Sequence, residues 1–359
     1  MASEMRKNKQ SALITKVLFP VLALAGGIEA VFRLYPPFGA NISKKDMNGF
    51  KKRFSYIKDN RFIYPKEWEL KGMNKNRKVS NNKLVPDKKL PASVPDFSSA
   101  GNGSYKFTWF GHSSVLIQSD GMNVFVDPVL TNRFFPLQFL GPKRFSELPV
   151  SISDIPRIDV VLITHDHHDH LEPRTICALD EKVDKYVVPL GVEKHLIKWG
   201  IDRDKIESLA WWETASFRNM EFTCTPARHF SGRRLTDQKK TEYCSWVIKT
   251  ENHQFFDSGD GSVGRHFEMI HKRFGNFNLA FMECGQYNEK WHYSHMYPEE
   301  SVHMAAKINA EFTVPVHWGS FVLSEHAWDD PIRRFAKESD RIGLSILTPG
   351  ICESVWGKK

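Results

Sequence analysis

At 359 residues, with 41% hydrophobic and 26% charged positions, the chain can bury a substantial core in one large domain or two smaller ones, which excludes a disordered or fibrous protein. Its five cysteines, Cys177, Cys224, Cys244, Cys284 and Cys352, are odd in number and never spaced as C-x-x-C, which excludes a disulfide framework and a cysteine-built structural zinc site. The net charge of +8 is concentrated in residues 1–90, which hold 20 Lys/Arg against 7 Asp/Glu; the remaining 30 and 35 leave residues 91–359 mildly negative, which argues against a broad nucleic-acid footprint.

In chain order, residues 1–35 come first. "ALITKVLFPVLALAGGIEAVF" (12–32) follows Arg6, Lys7 and Lys9, and only twelve uncharged residues, broken by Pro20 and Gly26-Gly27, separate Lys16 from Glu29. That is short of the roughly 20 apolar residues a spanning helix needs. The segment reads as a secretory signal ending near Ala23-Leu24-Ala25, or as an uncleaved anchor with Lys16 and Glu29 snorkelling, and either reading implies membrane association or export. A basic arm beside it suits an anionic membrane surface. Residues 36–95 read as a basic connector rich in Pro and Lys, expected to bury little.

From Asp96 to the end of the chain the pattern is that of a folded body. Short β-rich runs closed by turn residues predict strands at 105–111, 114–118, 123–128, 159–165, 185–191, 221–227, 244–250, 254–260, 279–285, 312–319 and 344–350. "PRTICALDEK", "GVEKHLIKWG", "GRHFEMIHKRFG", "PEESVHMAAKIN" and "DDPIRRFAKESDR" carry apolar residues at helical spacing. Strands interleaved with helices predict an α/β body of sheets covered by helices.

One stretch concentrates ionisable groups. In "VVLITHDHHDHLE" (160–172) an apolar run ends at Thr164, and six consecutive ionisable residues follow in the loop past the strand's carboxyl end. Burying so much polarity without a partner is costly, and imidazole and carboxylate are ligand types that a zinc-like cation uses. His165 and His167 can converge on one ion, while Asp169 and His170 can face a second. Further candidate ligands close three later strands: His229 after "EFTCTPAR", Asp260 after "QFFDSG" and His317 after "FTVPV".

With these residues in place the sequence resembles the metallo-β-lactamase superfamily, whose signature H-x-H-x-D-H is followed by His, Asp and His on later strands. The resemblance covers about residues 104–350 and implies a four-layer αββα sandwich with an N-terminal extension and two zinc ions per chain. His165, His167 and His229 would hold the first ion, Asp169, His170 and His317 the second, and Asp260 would bridge them. Within the superfamily, "TWFGHSSVLIQ", "VDPVL", "GPKRF", "LAWWE", "HMYPEESV" and "VHWGSF" resemble the N-acyl-phosphatidylethanolamine-hydrolysing phospholipase D group and its bacterial relatives, while "MECGQYNEKW" looks like the bacterial branch.

The resemblance implies a phosphodiesterase in which a hydroxide bridging the two metals attacks a phospholipid, with Asp169 and Asp260 in the catalytic centre. Arg233 in "HFSGRR" is placed to reach a substrate phosphate from the rim, and His295 in "YSHMYPEE" to orient phosphate or protonate the leaving oxygen. Asp127 is expected to orient ligand histidines, and His112 to stand behind the metals. Trp211, Trp212, Tyr287, Trp291 and Trp318 are candidates for an acyl pocket. Two alternatives stay open: a lactonase or other ester hydrolase using the same dinuclear site, and a catalytically silent metal-binding protein of the bacterial cell envelope. The expected partners are a phospholipid or other small ester or phosphodiester and a membrane surface, with no nucleic acid; the oligomeric state is open.

Overall fold

A computed structural model describes residues 34–72 and 83–357, together with Gly27, Ala30 and Val31. The signal or anchor expected over residues 1–35 lies almost wholly outside the described residues, among which no helix is long and apolar enough to cross a membrane.

The stretch read as a connector is built from ordered local pieces. Helix α1 (Lys44–Phe50) starts in a capping box in which Ser43 Oγ accepts from the Asp46 N–H and the Asp46 carboxylate accepts from the Ser43 N–H. A hairpin of β1 (Ile57–Lys58) and β2 (Arg61–Phe62) turns through Asp59 and Asn60, both at positive φ as a tight hairpin turn requires. Phe38, Met47, Phe50, Phe54 and Phe62 are buried. The expectation of little burial missed them because single aromatic residues are dispersed among lysines, which lowers mean hydropathy without removing the anchors.

Two sheets follow. The first consists of β3 (Tyr105–Trp109), β4 (Val115–Ser119), β5 (Met122–Val126), β6 (Ile158–Leu162), β7 (Val183–Pro189) and β8 (Ile206–Leu209) in that order, antiparallel up to β5 and parallel beyond it. The second holds β9 (Thr214–Phe217), β10 (Met220–Pro226), β11 (Cys244–Lys249), β12 (Gln254–Asp257), β13 (Phe277–Glu283) and β14 (Ala310–Val316), with β12, β13 and β14 parallel. Strand β15 (Ser354–Trp356) returns to pair with β3. Strands β3, β4 and β6 are buried along their whole length, as strands covered on both faces should be.

Aromatic side chains fill the space between the sheets. Phe107 meets Phe281 edge-on at 5.3 Å, Tyr105 meets Phe255 at 5.1 Å, and the Trp246 indole N–H donates across the interface to the Ile163 carbonyl at 3.0 Å. Each fully buried ring of this kind contributes about 2 kcal/mol. Helices α2 (Pro173–Leu179) and α3 (Glu193–Lys198) belong to the first sheet, where α3 packs on β8. Helix α5 (Pro298–Ile308) packs on β13 and β14 between α4 (His266–Phe274) and α6 (Asp330–Ile342). The result is the expected αββα sandwich.

One expected strand is absent: residues 344–350 form an isolated bridge from Ile346 to Thr313 rather than a strand. The segment is half exposed and contains Pro349, which cannot donate to a ladder. Strands β8, β9 and β15 were not anticipated; they are short, and alternation over three or four residues leaves little periodic signal.

Candidate metal centre

The parallel strands all point their carboxyl ends at one edge of the sandwich, and that edge collects the ionisable groups. Asp127 follows β5, the loop Thr164–Leu171 follows β6, Asp260 lies past β12, Glu283 ends β13 and His317 follows β14. His229 follows the antiparallel β10, and His112 sits in the turn between β3 and β4. His112, Asp127 and His317 all have positive φ, an uncommon conformation for residues with a Cβ and a mark of functional constraint. Gly285 packs against the His317 peptide so closely that a Cβ there would come within 1.9 Å of the His317 carbonyl, so only glycine allows this approach.

The side chains converge. His165 Nε2 is 2.9 Å from His167 Nδ1, and His229 Nε2 is 3.2 Å from the same atom. The Asp260 carboxylate faces four imidazoles, with His170 Nε2 and His317 Nδ1 at 3.1 Å, His229 Nε2 at 3.8 Å and His165 Nε2 at 3.9 Å. Asp169 Oδ2 lies 3.7 Å from His170 Nε2 and 2.8 Å from His112 Nε2.

The outer atoms of these rings are anchored. His170 Nδ1 donates to Asp127 Oδ2 at 2.6 Å, and Asp127 also accepts from the Thr164 N–H and hydroxyl. His229 Nδ1 donates to the Ser294 carbonyl, and Thr164 Oγ1 lies 2.9 Å from His165 Nδ1. Such contacts fix each ring's tautomer and aim its free nitrogen inward.

This set fits a divalent cation better than it fits itself. Burial holds His165, His229 and His317 well below the ordinary histidine value, so their rings are neutral and offer lone pairs. Burial would raise the Asp260 carboxyl, but the neighbouring His170, which burial disfavours as a cation and Asp260, Asp169 and Asp127 nevertheless hold protonated, keeps it ionised. Lone pairs facing lone pairs at about 3 Å repel unless a proton or a cation lies between them. His170 Nε2 and Asp260 Oδ1 are buried, close to possible partners, and yet without an aligned hydrogen bond. His165, His167 and His229 form one compact group and His112, Asp169, His170 and His317 another. All seven sequence-predicted ligands are thus brought together.

A cavity of about 360 Å³ opens on this cluster, lined by His167, Asp169, Asp260, His295 and His317 and walled by Phe230, Trp291, Tyr293 and Leu323. His295 is therefore at the cleft, with its ring stacked 5.3 Å from that of His317. Behind it lies Glu283, which sequence reasoning passed over; its signal was a carboxylate ending the apolar strand "LAFME". Glu283 Oε2 is 3.5 Å from His295 Nδ1, and burial pushes its carboxyl up to about 7. Burial also opposes charge on His295, but Glu283 lifts it above the ordinary value, so the pair holds a proton beside the cluster.

Arg233 does not reach the cleft. Its guanidinium is buried and donates to the carbonyls of Asp166 and Leu171, at either end of the metal loop, and to that of Pro37. The expectation of a substrate-binding arginine is thereby corrected: proximity in sequence to His229 placed it beside the loop, but the three carbonyls turn it inward, where it braces the loop against the N-terminal segment. Of the candidate acyl-pocket aromatics, Trp291 lines the cavity. Trp211 packs with Phe54 and Trp68, Trp318 against Trp109, Tyr287 bonds Asp330, and Trp212 lies under Arg273.

Comparison with known proteins agrees with this geometry. The profile of the beta-lactamase superfamily domain matches residues 122–318. An uncharacterized protein of Mycobacterium tuberculosis is 36% identical over 271 residues, which cover 74% of this chain and 73% of that protein. The N-acyl-phosphatidylethanolamine-hydrolyzing phospholipase D 1 of Caenorhabditis elegans is 32% identical over 268 residues, covering 69% of this chain and 74% of that protein. Among solved structures, a metallo hydrolase from the archaeon Ignicoccus hospitalis superposes with a TM-score of 0.56 at 18% identity, over 71% of this chain and 99% of that one, a likeness of fold.

Proposed function

Because the chain belongs to the metallo-β-lactamase superfamily, we propose that it is a zinc-dependent phosphodiesterase of phospholipase D type, acting on N-acyl-phosphatidylethanolamine-like phospholipids. The observation that carries this reading is the convergence of all seven ligand-type side chains in a chain 32% identical to a phospholipase named for that substrate.

In this reading His165, His167 and His229 would hold one zinc ion and Asp169, His170 and His317 a second, with Asp260, which faces four of these imidazoles, available to both. Bound there, zinc supplies Lewis acidity, which lowers the pKa of water and neutralises charge developing on a phosphoryl group. The chain's own residues do the rest. Asp127 and the Ser294 carbonyl keep His170 and His229 in the ligating tautomer. His295, supplied from Glu283, carries a proton at the cavity wall within reach of a departing alcohol oxygen. Phe230, Trp291 and Tyr293 offer apolar surface to acyl chains and limit access of bulk water.

We place this activity at a membrane surface. Leu34 and Tyr35, next to the apolar segment 12–32, are exposed, as are Phe139 and Leu140 on a nearby loop joined to them through the ring contacts of Phe38 with Tyr35 and Phe135. Exposed apolar side chains grouped in this way suit a lipid interface.

The test is mass spectrometry of a bacterial lipid extract supplemented with N-acyl-phosphatidylethanolamine and incubated with zinc-loaded protein, with Asp260→Asn as control. New phosphatidic acid and N-acylethanolamine, absent with the variant, support the reading. Untouched lipids with zinc bound would sink it and make a lactone and ester panel the next step; silence on that panel too would leave a non-catalytic metal protein.

A further inference from the structure

A second cavity, of about 620 Å³, lies beside the catalytic one. Tyr293 lines both, and His229, whose Nε2 faces the ligating cluster, closes the end of the second. The two are therefore adjoining compartments that share this wall. The outer wall of the second is the N-terminal segment from Tyr56 to Glu69, which sequence composition gave no reason to place near chemistry.

The charge in this compartment is unbalanced. Lys58, Lys66 and Lys239 line it, and none has an ion-pair or hydrogen-bond partner for its ammonium group among the described residues. Arg228 is already committed, to Glu69 at 3.1 Å and to the Leu70 and Val263 carbonyls, which leaves Glu67 as the opposing carboxylate. Lysines gathered around one concave surface raise the local positive potential, and an anion is what relieves it.

The backbone that carries the lysines is held in place. Lys58 enters the tight turn at Asp59-Asn60, and Lys66 opens a 3₁₀ turn. The wall docks through buried Phe54 and Phe62, through the Phe62 N–H to the Lys239 carbonyl, and through the Arg265 N–H to the Trp68 carbonyl. Three lysines on three separate elements are thus brought around one space by backbone that is already ordered, which lowers the ordering cost of binding.

We propose that this compartment binds a phosphate-type anion through Lys58, Lys66 and Lys239. On the phosphodiesterase reading the occupant is a second phosphate carried on the headgroup of a related phospholipid, since N-acyl-phosphatidylethanolamine itself has only the scissile one. Free inorganic phosphate shares the chemistry and is the other source.

Equilibrium dialysis of zinc-loaded, full-length protein against radiolabelled inorganic phosphate tests the site without turnover. Two phosphates per chain are expected, one at the cluster and one here, falling to one in the triple variant Lys58→Ala/Lys66→Ala/Lys239→Ala, whose exposed or half-exposed positions spare the fold. Equal numbers in the two proteins would overturn the proposal. The sources separate on a matched pair, short-chain phosphatidylglycerol and the same lipid phosphorylated on its headgroup. If the occupant belongs to the substrate, the second lipid has a KM lower by about tenfold in the wild type, with the advantage lost in the triple variant. Equal KM values with two phosphates still bound assign the site to the free anion. Because the phosphate count needs no hydrolysis, failure of the phosphodiesterase reading stays distinct from failure of this site.

Discussion

Strand β5 has an aspartate just outside each end, and the two are treated in opposite ways. Asp120 Oδ1 accepts from the Gly103 N–H at 2.8 Å and the Asn252 amide at 2.7 Å, and although burial works against its charge, bonds from Thr250, Gly103 and Asn252 take its pKa down to about 2. Asp127, five strand residues away, accepts from Thr164 and His170, yet burial dominates and pushes its pKa up. Around Asp120 the charge is met by the chain's own donors, even though Tyr105 Oη and Gln118 Oε1 nearby lack partners. Around Asp127 the ligand-type groups are not met in this way, since His170 Nε2 and Asp260 Oδ1 remain without aligned partners. The difference teaches where this fold places its electrostatic frustration: at one end the chain's own donors complete the field around a buried charge, and at the other only cations complete it.

Removing the charge that the four imidazoles share should break that contrast most severely. Asp260→Asn keeps the shape and loses the charge, so turnover should fall by about a thousandfold or more and zinc content should drop below two per chain, as read by activity and by metal analysis. Full activity with both ions bound would show that the cluster does not work as one unit. Asp127→Asn acts one step further out, through His170. Zinc affinity should weaken by about 10- to 100-fold, measured by chelator competition, with the fold intact.

Arg233 sharpens the contrast from the stability side. Arg233→Met strands three buried carbonyls and should cost about 3 kcal/mol in denaturant unfolding. Its KM for phospholipid should stay near the wild-type value once stability is allowed for. A KM that rises sharply without a loss of stability would restore the arginine to substrate binding.

How legible these features were follows the same division. The cluster could be read from sequence because its chemistry is local in the chain: six ionisable residues behind a buried strand, then single ligands behind three later strands. The layered α/β body was legible because long buried strands carry a strong apolar signal, and its αββα order followed from the family resemblance. Arg233 was misread because its neighbours in space, Asp166, Leu171 and Pro37, come from other parts of the chain, and nothing in "HFSGRR" tells whether an arginine turns inward or outward. Glu283 was passed over because a carboxylate at a strand end is common. The wall at Tyr56–Glu69 was invisible to composition because four or five dispersed aromatic residues, rather than an apolar run, fix it to the body.

The smallest effect belongs to the Asp120 end. A carboxyl whose folded pKa lies below its unfolded value adds stability that is present above the unfolded pKa and is lost as pH falls through the folded one. For Asp120 the folded value is about 2 and the unfolded one near 4, so about 2 kcal/mol should disappear between those limits. Asp120→Asn keeps an acceptor for the Gly103 N–H but has no charge to lose. Its unfolding free energy should therefore fall less steeply than that of the wild type across this window, by about the same 2 kcal/mol, while zinc content and turnover near neutrality stay unchanged. Parallel acid limbs would mean that the Gly103 and Asn252 bonds favour the ionised carboxylate no more than the neutral acid. The two ends of β5 would then differ in their need for cations but not in the strength of the fields their own residues create.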